Sequence, residues 1–192
     1  MRLKKIKLLK YVENCFEGQT RKFTKFPYFY HLFNVSQLSS LYEIHLGFEI
    51  GLLHDIYEDT DVKPHECIEN LVKFGYDKYD SLLISDSVLS LTKKYTGEKW
   101  KSYDEIVLAE LETLRIKDAG DISENIKLCD IIDNIRYNIP MDKIYKNKKF
   151  ALFIKKYLPQ KKLQIEMLDN TDKDLKNLAT KYINENYEYF NL

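Results

Sequence analysis

The stretch GLLHDIYEDTD, residues 51–61, sets four ionisable side chains, His54, Asp55, Glu58 and Asp59, among mostly apolar neighbours. Read outward through HLGFEIGLLHDIYED, the spacing predicts a helix from about Ile44 to Tyr57 with the acidic pair at its end. Residue 58 is four after His54 and three after Asp55, so these three side chains occupy adjoining parts of one helical face. Carboxylates held that close raise each other's pKa and repel. A divalent cation among them restores the ionised forms and is the simplest physical account of their concentration.

Two further polar intrusions into apolar stretches supply the remaining donors. His31 follows Pro27 in FPYFYHLFNVSQL, and Asp130 lies in IKLCDIIDNIR. Asp130 is about one helical turn from both Lys127 and Asn134, so a carboxylate, an ammonium and an amide can face one pocket. A shell of two histidines and two aspartates suits a first-row divalent metal better than a thiolate-seeking one, and manganese is the first choice. Singly, His31 is more often a core or surface histidine, and Asp130 with Asn134 a solvated stripe. Their coincidence with the His54-Asp55 and Glu58-Asp59 pairs favours a site. His45, His65 and the acidic clusters near the C-terminus read as ordinary surface.

With only 6 glycines and 4 prolines in 192 residues, and apolar residues recurring every three or four positions, the fold class expected is all-α. Helices are predicted over about 3–16, across His31, over 64–74, 78–92, 102–117 and 122–136, and through most of the remainder. Gly75 should stop one helix, and Asp121 with Glu124 should form a capping box for another. Pro140 is expected to end that helix and Pro159 to interrupt the next. One domain spans 1–192, with a motif core over about 17–137 and C-terminal helices over 141–192.

Lysine plus arginine and aspartate plus glutamate both total 30. No net field favours nucleic acid or an anionic membrane, neither is expected as a partner, and any basic surface must be local. Arginine occurs only at positions 2, 21, 115 and 136, which makes Arg21 and Arg136 candidates for planar phosphate or base contacts. Cys15, Cys67 and Cys129 are widely spaced without a CxxC pair, and read as reduced, buried thiols. No signal peptide or apolar stretch of membrane-spanning length is present, so a cytoplasmic location is expected. Oligomeric state is left open.

The segments GQTRK (18–22), PYFYHLFNVS (27–36), GLLHDIYEDT (51–60) and KLCDIIDNIR (127–136) together resemble the HD-domain hydrolases of the RelA/SpoT type, including the small free-standing alarmone hydrolases of the metazoan SpoT-homologue kind. Order and spacing agree over about residues 17–137. The chain departs from the family in CFEGQ, which lacks a histidine, in Leu32 where a proline is usual, and in one extra residue before His31. The resemblance implies an HD-type helical bundle with a central metal site. It implies His31, His54, Asp55 and Asp130 as ligands of one manganese ion, Glu58 and Asp59 as handlers of water and protons, and Asn134 as support for the nucleotide. A basic loop residue, Arg21 or Lys22, would contact the guanine or phosphate end, with Lys127 and Lys93 or Lys94 offsetting phosphate charge. The expected reaction removes the 3′-pyrophosphate from guanosine 3′,5′-bis(diphosphate). No synthetase-like segment follows, so hydrolysis alone is expected. The alternatives are a phosphatase for another nucleotide, such as one acting on the 2′-phosphate of NADPH, and a nucleotide-binding sensor without turnover.

Overall fold

The apolar spacing becomes helix after helix in the computed structural model, which describes residues 2–192. The chain divides into two compact units, the first ending at Lys93 and the second running over Lys94–Leu192. Among the described residues there is no strand, only an isolated bridge between Thr20 and Pro27.

The first unit holds α1 (Arg2–Cys15), α2 (Phe29–Leu41), α3 (Gly47–Leu53), α4 (Ile56–Asp59), α5 (Pro64–Phe74) and α6 (Lys78–Leu91). Leu8 and Val12 of α1, Leu32 and Val35 of α2, Ile50, Leu52 and Leu53 of α3, and Ile84 and Val88 of α6 are all fully buried. Pro64 opens α5, where its missing N–H costs nothing, and the Lys63 N–H donates to the Glu66 carboxylate at 2.8 Å. Gly75 ends α5 at φ +104°, a left-handed conformation that glycine adopts without strain.

The approach of α3 to α2 is what positions the histidines. A Cβ built on Gly51 would lie 3.0 Å from Ser36 Cα and 3.1 Å from Ser36 N, and one on Gly47 would lie 3.0 Å from the Ser39 carbonyl oxygen. One helical turn apart, these glycines let the two backbones come closer than any side chain would allow. Ser36 and Ser39 turn their hydroxyls onto α2 itself, donating to Phe33 O and Val35 O at 2.7 Å each. The small polar side chains therefore need no partner across the gap.

The continuous helix expected from Ile44 to Tyr57 is instead two. Glu43 and Leu46 adopt positive φ values of 52° and 53°, which delays the start. At His54 and Asp55 the helix breaks. Asp55 takes φ −103°, ψ 4°, and its carbonyl accepts from both Glu58 N–H at 3.1 Å and Asp59 N–H at 2.9 Å. This bridge-region backbone tightens the next turn, so the acidic pair ends a new short helix and does not continue the old face.

The second unit holds a 3₁₀ turn over Glu98–Trp100 and then α7 (Glu105–Asp118), α8 (Asp121–Ile135), α9 (Asn138–Tyr145), α10 (Lys148–Met167) and α11 (Lys173–Phe190). Its core includes Ile116, Ile126, Leu128, Ile131, Ile154, Leu158, Leu168 and Leu175. The capping box expected at α8 is absent. Gly120 precedes the helix at φ +97°, and Glu124 is fully buried, its Oε2 accepting from the Asp169 and Asn170 N–H groups at 2.9 and 3.0 Å. Asn125 Oδ1 likewise accepts from Asp172 N–H at 2.7 Å, so α8 fixes the turn between α10 and α11.

The two prolines differ: α8 stops at Ile135, ahead of Pro140 as expected, whereas Pro159 does not break its helix. Pro140 lies in the first turn of α9, where an N–H has no intrahelical partner anyway. Pro159 lies inside α10 without interrupting it. The lost bond and ring clash cost about 3 kcal/mol, and the burial of Phe150, Ile154, Leu158 and Ile165 along one α10 face offsets it.

Candidate metal centre

In the first unit α2 delivers His31 and the end of α3 delivers His54, 1% and 4% exposed. Their rings meet edge to face with centroids 5.0 Å apart. His54 Nδ1 lies 2.8 Å from the Gly51 carbonyl oxygen, which can only accept, so Nδ1 carries the proton. Its Nε2 lies 3.0 Å from Asp55 Oδ2, with His31 Nε2 3.7 Å from the same oxygen. Two ring nitrogens packed that close to a carboxylate oxygen are favourable only with a proton or a cation among them. Two buried imidazoles around one carboxylate are a donor set that fits a divalent cation with nitrogen and oxygen preferences.

Tyr28 completes this half and was not singled out from sequence. Its hydroxyl donates to Asp55 Oδ2 at 2.6 Å, its ring stacks on Phe16 at 5.5 Å and 12°, and it meets the His31 ring edge to face at 5.4 Å. The available signal was a tyrosine one turn before His31 on an otherwise apolar helix start.

Glu58 and Asp59 follow on α4. Glu58 Oε2 accepts from the Lys93 N–H at 3.2 Å, and its other oxygen pairs with the Lys93 ammonium. Lys93, expected against phosphate, is therefore the partner of Glu58. Burial holds the Asp59 carboxyl above the usual aspartate range, helped by the charges of Asp55 and Glu58, while Tyr28 and Lys93 act in the opposite direction. The Asp59 carbonyl accepts from Gln19 Nε2 at 3.0 Å, which ties the GQTRK loop to α4. That loop is a narrow hairpin closed by Arg21 N–H to Phe26 O and Tyr28 N–H to Gln19 O, each 2.9 Å. Arg21 is half-buried on it and Lys22 exposed.

In the second unit Asp130 lies mid-α8, 7% exposed. Lys127 Nζ donates to its Oδ2 at 2.7 Å and Asn134 Nδ2 to its Oδ1 at 2.5 Å. Lys127 and Asn134, expected beside the substrate, here hold the carboxylate's orientation. Arg136 donates to Asp133 Oδ1 at 2.5 Å and lies 4.7 Å from the Tyr137 ring centroid. Asp133, 1% exposed, went unnoticed in sequence because it occupies a helix already assigned to Asp130. The Lys94 and Tyr95 N–H groups donate to Glu112 Oε1 at 2.5 and 2.6 Å, and Arg115 binds the other oxygen of that carboxylate. His31, His54 and Asp130 are all buried and each offers one atom that a metal ion could take. His45 and His65 are exposed, as expected. None of the three cysteines is in a disulfide, and burial raises the pKa of Cys15 and Cys67.

The helices, carried by four linked motifs around an HD pair, have the all-α HD-type fold. No family model and no curated protein matches the sequence. Among solved structures, the chain is similar to a metazoan orthologue of SpoT described as hydrolysing ppGpp and playing a role in starvation responses. The two share 21% identity at a TM-score of 0.70, over 95% of this chain and 94% of that one.

Proposed function

We propose that the chain is a manganese-dependent phosphohydrolase that removes the 3′-pyrophosphate from guanosine 3′,5′-bis(diphosphate). The observation that carries this reading is the pair of buried imidazoles, His31 and His54, with Nε2 atoms 3.7 and 3.0 Å from one oxygen of Asp55, and an acidic pair shortly after it. A shared fold with a ppGpp-hydrolysing SpoT orthologue supports the same substrate class.

In this reading His31, His54, Asp55 and Asp130 hold one divalent cation, Tyr28 orients Asp55, and Lys127 and Asn134 orient Asp130. A cation held by these donors would supply Lewis acidity toward water and phosphate oxygens. Glu58 accepts the proton of the attacking water once its pairing with Lys93 loosens. Asp59, whose carboxyl holds its proton more firmly than an ordinary aspartate, protonates the departing 3′ oxygen. The oxygen of water bonds to phosphorus as the bond from phosphorus to the 3′ oxygen breaks, giving GDP and pyrophosphate. Arg21 or Lys22 contacts the base or phosphate end, and Arg136 adds positive charge near it.

The test is a nucleotide panel with manganese in which orthophosphate and pyrophosphate are measured separately. Pyrophosphate from the 3′-diphosphate, abolished by Asp55→Ala, is expected. Turnover confined to substrates lacking a 3′ group, such as NADPH, would replace the alarmone reading with another phosphatase. Tight nucleotide binding with metal present but no turnover would make the chain a sensor.

A further inference from the structure

Residues 143–162 contain eight lysines and no acidic residue, in a chain that is neutral as a whole. On α10, Lys148, Lys149, Leu152, Lys155 and Lys156 are all exposed, and Leu152 keeps 66% of its surface in solvent. At 100° per residue these five positions fall within about 120° of the helix circumference. Phe150, Ile154 and Leu158 fill the opposite, buried face. Just before α10, Lys143 and Lys146 are exposed and Ile144 is 70% exposed. Among the described residues none of the four exposed α10 lysines is paired with a carboxylate.

Folding does not explain this face. Lys148 and Lys149 occupy the first turn of α10, which has no acidic residue to offset them. Cations there oppose the positive end of the helix dipole, and an exposed leucine among them gains nothing in water. Both features become favourable against one kind of surface, a layer of anionic headgroups over hydrocarbon. Lysines meet the headgroup phosphates, while Leu152 and Ile144 sit at the level where acyl chains begin. RNA would use the charge but has no use for exposed aliphatic side chains, and the lysine-only face lacks the arginines and exposed stacking rings that favour RNA.

We propose that the outer face of α10, with Lys143 to Lys146 before it, docks the protein peripherally onto anionic phospholipid bilayers. The full-length protein is sedimented with vesicles of phosphatidylglycerol and phosphatidylcholine in equal parts, and with phosphatidylcholine alone, at low and high salt. Binding to the anionic vesicles only, weakened by salt, is expected. Substituting Lys148, Lys149, Lys155 and Lys156 together by glutamine should lower the partition coefficient by roughly 600-fold, at about fivefold per lysine. Leu152→Ser should lower it by roughly tenfold. All five side chains are exposed, and circular dichroism confirms that the variants are folded. Equal binding to both vesicle types, no binding to either, or a quadruple variant that binds like the parent overturns the proposal. Lysine-dependent binding to polyuridylate, with Leu152→Ser binding vesicles like the parent, also overturns it and makes the face a nucleic-acid surface.

Discussion

Tyr28 and Asp59 separate support of the site from its chemistry. The Tyr28 hydroxyl supports Asp55 by one short hydrogen bond, 2.6 Å long. Tyr28→Phe keeps the ring stacked on Phe16 and removes the hydroxyl that bonds Asp55, so manganese affinity measured by calorimetry should fall roughly tenfold. An unchanged affinity would mean that Asp55 needs no such support. Asp59 has the opposite character, a carboxyl whose folded pKa lies above its unfolded one because burial and neighbouring carboxylates penalise its charge. Such a group leaves native stability intact below the unfolded value, about 3.9 for aspartate, and erodes it as pH rises through the folded value. Asp59→Asn should therefore raise the Tm of chelator-treated protein at neutral pH, and the gain should vanish in acid below that unfolded value. Turnover should fall in the same variant, a trade of activity for stability.

Among the elements, α3 shows how backbone approach sets the centre. Gly51→Ala would force a Cβ against the Ser36 backbone at 3.0 Å, which no rotamer change relieves. A loss of about 1–3 kcal/mol in urea unfolding is expected. Manganese binding should weaken too, because the Gly51 carbonyl that orients His54 moves with the helix. An alanine variant as stable as the parent would mean that α2 and α3 separate freely. The elements were the part of the fold most open to reading from sequence, since burial on one face of each helix needs only the three- and four-residue spacing of apolar residues. Proline and capping signals were less dependable. Pro159 sits inside α10 because packing along its buried face outweighs a local cost, and Glu124 left its capping role to bind backbone N–H groups 45 and 46 residues away. Long-range hydrogen bonds of that kind leave no local trace.

For the whole molecule the decisive measurement is metal linkage. A cation that binds only the folded chain stabilises it by about 2.7 kcal/mol when present at a hundred times its Kd. Adding manganese to chelator-treated protein should raise Tm accordingly, and Asp55→Ala should abolish the rise. A Tm indifferent to manganese would remove the basis for a metal centre. The sequence by itself determined the helical class, the cluster His54, Asp55, Glu58 and Asp59, and the two outlying donors His31 and Asp130. Those depend on residue type and short spacing, which the chain states directly. Only the tertiary structure decided that the helix breaks at Asp55, that Tyr28 and Lys93 attend the acidic residues, that Lys127 and Asn134 hold Asp130, and that the lysines of α10 share one solvent face with Leu152. These depend on which side chains meet once distant segments are packed and on which face of a helix the core leaves uncovered. Neither is encoded in any single window of sequence.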